Sequence, residues 1–151
     1  MNMEKYYIAY GSNLNFRQMM MRCPNAKIAG TTNLKGWALI FKGSKTGSYL
    51  TIEPQEGGRV PVAIWKINEE HERSLDRYEG FPNFYYKKQM TVTMSSGKKI
   101  KAFVYIMREN RPINIPSKDY VWTCCEGYRF FGFDKAFLEQ AIKETERRMA
   151  Q

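Results

Sequence analysis

Among the acidic residues of the sequence, Glu79 stands apart by its neighbours, because Tyr78, Phe81, Pro82, Phe84, Tyr85 and Tyr86 place an aromatic wall within a few residues of it. Such a wall keeps water from a carboxyl, and loss of water raises its pKa toward neutrality. A carboxyl tuned in that way can accept a proton and return it within one turnover. Spacing alone also allows the plainer alternative of a helix-end glutamate open to water. The second group with chemical potential is the polar turn Gly11-Ser12-Asn13-Leu14, which follows an apolar run ending at Tyr10. A loop between a strand and a helix aims several backbone N–H groups into one space, and the missing side chain of Gly11 lets a ligand approach the backbone closely. Those amides suit a carboxylate or an oxyanion; a simple turn with a helix cap is the alternative.

Other chemistries find no support. A phosphate-cradling loop needs Gly, four residues, then Gly-Lys-Ser/Thr, and neither Gly43-Ser44-Lys45-Thr46-Gly47 nor Gly97-Lys98-Lys99 has that spacing. A serine nucleophile needs a base, yet the single histidine, His71, sits among Glu69, Glu70, Glu72 and Arg73, where a surface position is expected. Cys23, Cys124 and Cys125 are odd in number and form no C-x-x-C pair, which argues against a disulfide framework and a zinc site. They are expected to be small buried hydrophobes, and no metal is expected.

The formal net charge of +9, from 24 Lys and Arg against 15 Asp and Glu, would draw acidic partners over long range. The basic residues are scattered, however, as at Lys42 and Lys45, Lys87 and Lys88, Lys98 to Lys101, and Arg147 and Arg148. Solvated strand edges and hairpin ends account for them, and no nucleic-acid-binding motif accompanies them, so nucleic acid is not the expected partner. No apolar run exceeds the six residues Ala102 to Met107, which predicts neither a membrane span nor a secretory signal and points to a cytoplasmic protein.

These candidate groups need elements to hold them. Lys5 to Tyr10 reads as a strand ending at the polar turn, after which Asn13 or Asn15 can cap a helix running to Arg22. Glycines divide the next stretch into four expected strands, Ile28 to Leu34, Trp37 to Phe41, Tyr49 to Ile52 and Val60 to Ile67. Asn68 caps a short acidic helix with Leu75 and Tyr78 on its apolar face; Gly80 stops it and leaves Glu79 at its end. Tyr85 to Met94 and Lys98 to Met107 alternate around Ser95-Ser96-Gly97 as a hairpin. Ser117 caps a helix through Tyr120 toward Gly127, and Asp134 caps a last amphipathic helix. The expectation is a single α+β domain over residues 1–151, a small mixed β-barrel with peripheral α-helices.

Two segments resemble a known family. Tyr7-Ile8-Ala9-Tyr10-Gly11-Ser12-Asn13-Leu14 is similar to the strand-to-loop YGSNL signature of the γ-glutamylcyclotransferase superfamily, and Ser74-Leu75-Asp76-Arg77-Tyr78-Glu79-Gly80-Phe81-Pro82 with Tyr85 resembles its catalytic-glutamate segment. Val60 to Leu75 looks like the strand and helix that deliver this glutamate, and Ser117 to Tyr120 like a later loop with a site tyrosine. The resemblance implies that the α-amine of a γ-glutamyl group attacks its own γ-carbonyl, giving 5-oxoproline and a free amine or amino acid. It implies Glu79 as the catalytic proton carrier, and a substrate site of Tyr10, Gly11, Ser12, Asn13, Leu14, Tyr85 and Tyr120, with Tyr86 competing for the place of Tyr85. It implies no cofactor, a small γ-glutamyl substrate, and a monomer or homodimer. A non-catalytic protein of the same fold that binds an acidic metabolite is the first alternative, and a basic nucleic-acid-binding domain the second.

Overall fold

The computed structural model describes residues 4–151. The chain forms strand β1 (Lys5–Ala9), a single 3-10 turn (Ser12–Leu14), helix α1 (Phe16–Arg22), strands β2 (Lys27–Ser44) and β3 (Gly47–Ile67), and helix α2 (Glu69–Glu79). Strands β4 (Tyr85–Thr93) and β5 (Lys99–Met107) and helices α3 (Lys118–Phe131) and α4 (Ala136–Met149) follow. One five-stranded sheet runs in the order β2-β3-β1-β5-β4, antiparallel throughout except for the β1–β5 pair. No helix among the described residues is long and apolar enough to cross a membrane.

The α+β class agrees with expectation, but the barrel holds only loosely. The outer strands approach each other where Thr31 O accepts from the backbone N–H and hydroxyl of Ser95, and no ladder closes the sheet there. The four strands expected between Ile28 and Ile67 are two long ones. Gly36, at φ +87°, lies in a register shift between Lys35 and Trp37, so the glycine bends β2 and does not end it.

The central parallel pair explains the longest apolar run. Alternation in β5 ends at Lys101, and Ala102 to Met107 are buried without exception, because the strand is covered on both faces. Lys87, expected on a solvated edge, is half-buried and pairs with Glu72 and Asp76 of α2 at 2.6 and 2.8 Å.

His71 is the clearest correction. It precedes Leu75 by four residues and so shares its inward face, and both are buried. Its Nδ1 accepts the Asn68 N–H, Asn68 Oδ1 accepts the His71 N–H, and Nε2 lies 2.6 Å from Pro24 O. The imidazole therefore completes a capping box and ties α2 to the chain after α1.

At α1, Asn15 is the cap, accepting from Gln18 N, while its own amide donates to Thr123 O of α3 at 3.0 Å. Helix α3 can press on the polar turn because of Gly127, where a Cβ would stand 2.6 Å from the Leu14 carbonyl carbon and 2.7 Å from Asn15 N. Gly127→Ala should therefore lower stability by about 1–3 kcal/mol through overpacking, read as a reduced urea midpoint at constant m-value. A midpoint equal to that of the parent protein would show that α3 does not hold the turn.

Candidate active site

The two sequence segments meet around one cavity of about 460 Å³. Its walls come from the end of β1 and the polar turn, from the start of β3 at Tyr49 and Leu50, and from the C-terminal end of α2. Phe84, Tyr85 of β4, Tyr105 of β5 and Tyr120 of α3 complete it. Gly80, in the left-handed conformation at φ +65°, closes α2 and returns the chain toward β4, which leaves the side chain of Glu79 at the helix end and facing the cavity.

Around Glu79 stand phenols whose hydroxyls are engaged with other groups. Tyr10 donates to Tyr105 O at 2.7 Å, and Tyr85 donates to Leu50 O at 2.8 Å. The N–H of Leu50 donates to Tyr120 Oη at 3.1 Å, so two phenols satisfy both backbone groups of one residue on the free edge of β3. Asn13 Nδ2 donates to Tyr7 Oη, Ser12 Oγ shares a bond with Tyr78 Oη, and Tyr105 Oη donates to Asp76 Oδ1. Burial pushes the phenols of Tyr7, Tyr10, Tyr85 and Tyr120 well above their usual range, and they stay neutral.

Among the described residues Glu79 forms no hydrogen bond or ion pair, and it lines the cavity. Desolvation raises its pKa to about 8, opposed only by the positive charge of Arg22. The Ser12 and Asn13 N–H groups have no backbone or side-chain acceptor among the described residues. Leu14 is a correction to the expected substrate site. Its N–H is used by Gly11 O at 3.0 Å and its side chain is fully buried in the core, away from the cavity.

The remaining expected residues, Tyr10, Gly11, Ser12, Asn13, Glu79, Tyr85 and Tyr120, line this one space. Tyr86 does not; it bonds Glu109 on the outside, as strand alternation from Tyr85 requires. Sequence reasoning missed Tyr7, Leu50 and Tyr105, which reach the cavity through strand pairing and carry no local signal. Cys23 and Cys124 are buried, and burial pushes their thiols up to about 12. No group of three His, Cys, Asp or Glu among the described residues could hold a metal ion.

Several known proteins similar to this chain fall in one family. A family model described as gamma-glutamyl cyclotransferase, AIG2-like, matches residues 7–122. The chain is 33% identical over 129 residues to the gamma-glutamylcyclotransferase of Bos taurus, covering 80% of this chain and 68% of that protein. It is 31% identical over 144 residues to the Homo sapiens protein of the same name, covering 89% of this chain and 75% of that one. A solved gamma-glutamyl cyclotransferase superposes with a TM-score of 0.82 at 28% identity, over 92% of this chain and 86% of that one.

The raised pKa has a consequence for stability. Between the ordinary value of 4.5 and about 8, the folded protein holds a proton on Glu79 that the unfolded chain has released. Stability therefore falls as pH rises through that window, by at most ~1.4 kcal/mol per pH unit from this one group. Urea titrations of the parent protein and of Glu79→Gln from pH 5 to 9 should diverge, the glutamine variant gaining relative stability toward pH 8. Parallel curves would mean a solvated carboxyl.

Proposed function

The chain belongs to the gamma-glutamyl cyclotransferase, AIG2-like family, and from that premise we propose that the cavity cyclises γ-glutamyl compounds to 5-oxoproline and releases the attached amine or amino acid. The observation that supports this reading most directly is that the Glu79 carboxyl and the Ser12 and Asn13 amides, none with a partner among the described residues, belong to residues lining one cavity. The nucleophile belongs to the substrate, so the protein needs only to bend the chain into attack geometry, move protons and stabilise one oxyanion. On this reading the reaction is independent of metal or organic cofactors.

Ionised Glu79 takes a proton from the substrate ammonium, and the freed amine attacks the γ-carbonyl carbon. The carbonyl oxygen becomes an oxyanion against the Ser12 and Asn13 N–H groups. Glu79 then gives its proton to the departing nitrogen and takes the surplus proton of the ring nitrogen, while the bond to the departing nitrogen breaks. The released amine finally collects that proton, so Glu79 returns ionised and the charge balances. A pKa of about 8 suits this sequence: the carboxylate is basic enough to deprotonate an ammonium, and its acid form strong enough to protonate a leaving nitrogen. Tyr10, Tyr85 and Tyr120 shape the wall, with Gly11 giving access: a Cβ there would stand 3.3 Å from Tyr120 Oη.

Glu79→Gln should retain the fold and lose about 10²- to 10⁴-fold in turnover, since the amide keeps the shape and cannot carry a proton. The assay is 5-oxoproline release from a panel of γ-glutamyl amino acids and γ-glutamyl amines. More than a tenth of the parental rate in the variant would remove Glu79 from the role.

A further inference from the structure

Arg22, the last residue of α1, is half-buried and has an unusual set of partners. Among the described residues its guanidinium bonds only amide oxygens, Asn13 Oδ1 at 2.7 Å and Gln18 Oε1 at 2.6 Å, and no carboxylate pairs with it. Its central carbon lies 3.5 Å from the centroid of the Tyr78 ring. Tyr78 is the residue before Glu79, and Asn13 supplies one of the two free amides of the cavity. The Asn13 side chain is gripped from both ends, accepting from Arg22 and donating to Tyr7. One planar cation thus touches the polar turn and the helix of the carboxyl at once.

We propose that Arg22 is a positioning residue for the cyclisation, fastening the Ser12–Asn13 amides to the helix that carries Glu79. The inference rests on the function proposed above. Glu79 has no hydrogen bond among the described residues, so its distance from those amides depends on whatever joins the two backbones. The Ser12–Tyr78 hydroxyl contact is one such link; Arg22 adds a charged one that bonds Asn13 of the turn and stacks on Tyr78 of α2, while Gln18 of its own helix steadies the guanidinium.

The charge has a second effect. The groups facing Glu79 are the phenols of Tyr7, Tyr10, Tyr85, Tyr105 and Tyr120 from the surrounding elements, and Tyr78 and exposed Arg77 from its own helix. Burial holds all six phenols neutral over the working range, and water surrounds Arg77. Arg22 is therefore the charge that keeps the carboxyl partly ionised near neutral pH.

The test compares the parent protein with Arg22→Gln, Arg22→Lys and, on the outer face of the same helix, Arg17→Gln. The measurements are pH profiles of kcat/KM for 5-oxoproline release, the carbon-13 titration of the Glu79 carboxyl, and the amide resonances of Ser12 and Asn13. Arg22→Gln should lose up to about 10²-fold in rate and move both the acidic limb and the carboxyl midpoint upward by about one pH unit or more. Arg22→Lys keeps the charge, so its midpoint should stay near the parental value while its rate falls and the Ser12 and Asn13 amides shift, because an ammonium cannot fork or stack. Arg17→Gln should match the parent in every readout. A parental rate in Arg22→Lys, or unmoved amides, overturns the positioning role, and that variant carries the test if Arg22→Gln does not fold. A parent protein without 5-oxoproline release would sink the proposed reaction, while the amide shifts would still report whether Arg22 fixes the turn.

Discussion

A carboxyl that must carry a proton in an apolar cavity cannot be held by its own hydrogen bonds, because each bond to its ionised form would lower its pKa and leave it a poor base. On the proposed reaction Glu79 meets this condition: it has no hydrogen-bond partner among the described residues, and its place is set by its backbone. The burden of precision then passes to α2. That helix is fixed at its start by the Asn68–His71 capping box and the contact of His71 with Pro24 O. Leu75 anchors it in the core, and Asp76, one turn before Glu79, is held by Lys87 and Tyr105 of the β4–β5 hairpin. At its end the Phe81 N–H bonds Asp76 O, fixing the exit of the chain past Gly80.

The same condition shapes the opposite wall. A cavity lined by so many tyrosines could quench a carboxylate with donated hydrogen bonds, yet the phenols here spend their polarity elsewhere. Tyr10 and Tyr85 donate to backbone carbonyls, and Tyr120 accepts from a backbone amide. This satisfies backbone groups that would otherwise be buried and unpaired, and it uses hydroxyl bonds that could otherwise go to Glu79. The result is a wall whose phenol hydroxyls are engaged, while the Ser12 and Asn13 amides are left without an acceptor among the described residues.

Across the cavity, the polar turn is held by the core and by α3 as well as by Arg22. Trp65, fully buried, donates its Nε1–H to Asn13 O at 3.1 Å, and α3 closes over the turn through Asn15 and Gly127. The turn spends one amide, that of Leu14, on its own 3-10 bond, and the preceding two, on residues that line the cavity, have no acceptor among the described residues.

How much of this was legible follows from the range of each interaction. Local features were readable: the strand into Gly11, the Asn68 cap, the Gly80 stop, the Ser117 cap and the Ser95-Ser96-Gly97 turn all depend on residues within a few positions of one another. The aromatic company of Glu79 was visible too, but spacing left a water-exposed carboxyl open; of the expected wall Tyr78, Phe84 and Tyr85 line the cavity while Tyr86 faces outward, and distant phenols complete the desolvation. His71 was misplaced because the charges beside it concealed an inward face, and the long β2 and β3 were divided because a glycine can bend a strand as well as end it. What only the tertiary structure decided was which distant groups share the cavity. Tyr7, Leu50 and Tyr105 arrive there through strand register, Arg22 reaches Asn13 and Tyr78 through the packing of α1 on α2, and Leu14 turns away into the core. Residue types and local spacing determine which elements form and which carboxyl can be tuned; register and packing join residues far apart in the chain, and no local pattern encodes those meetings.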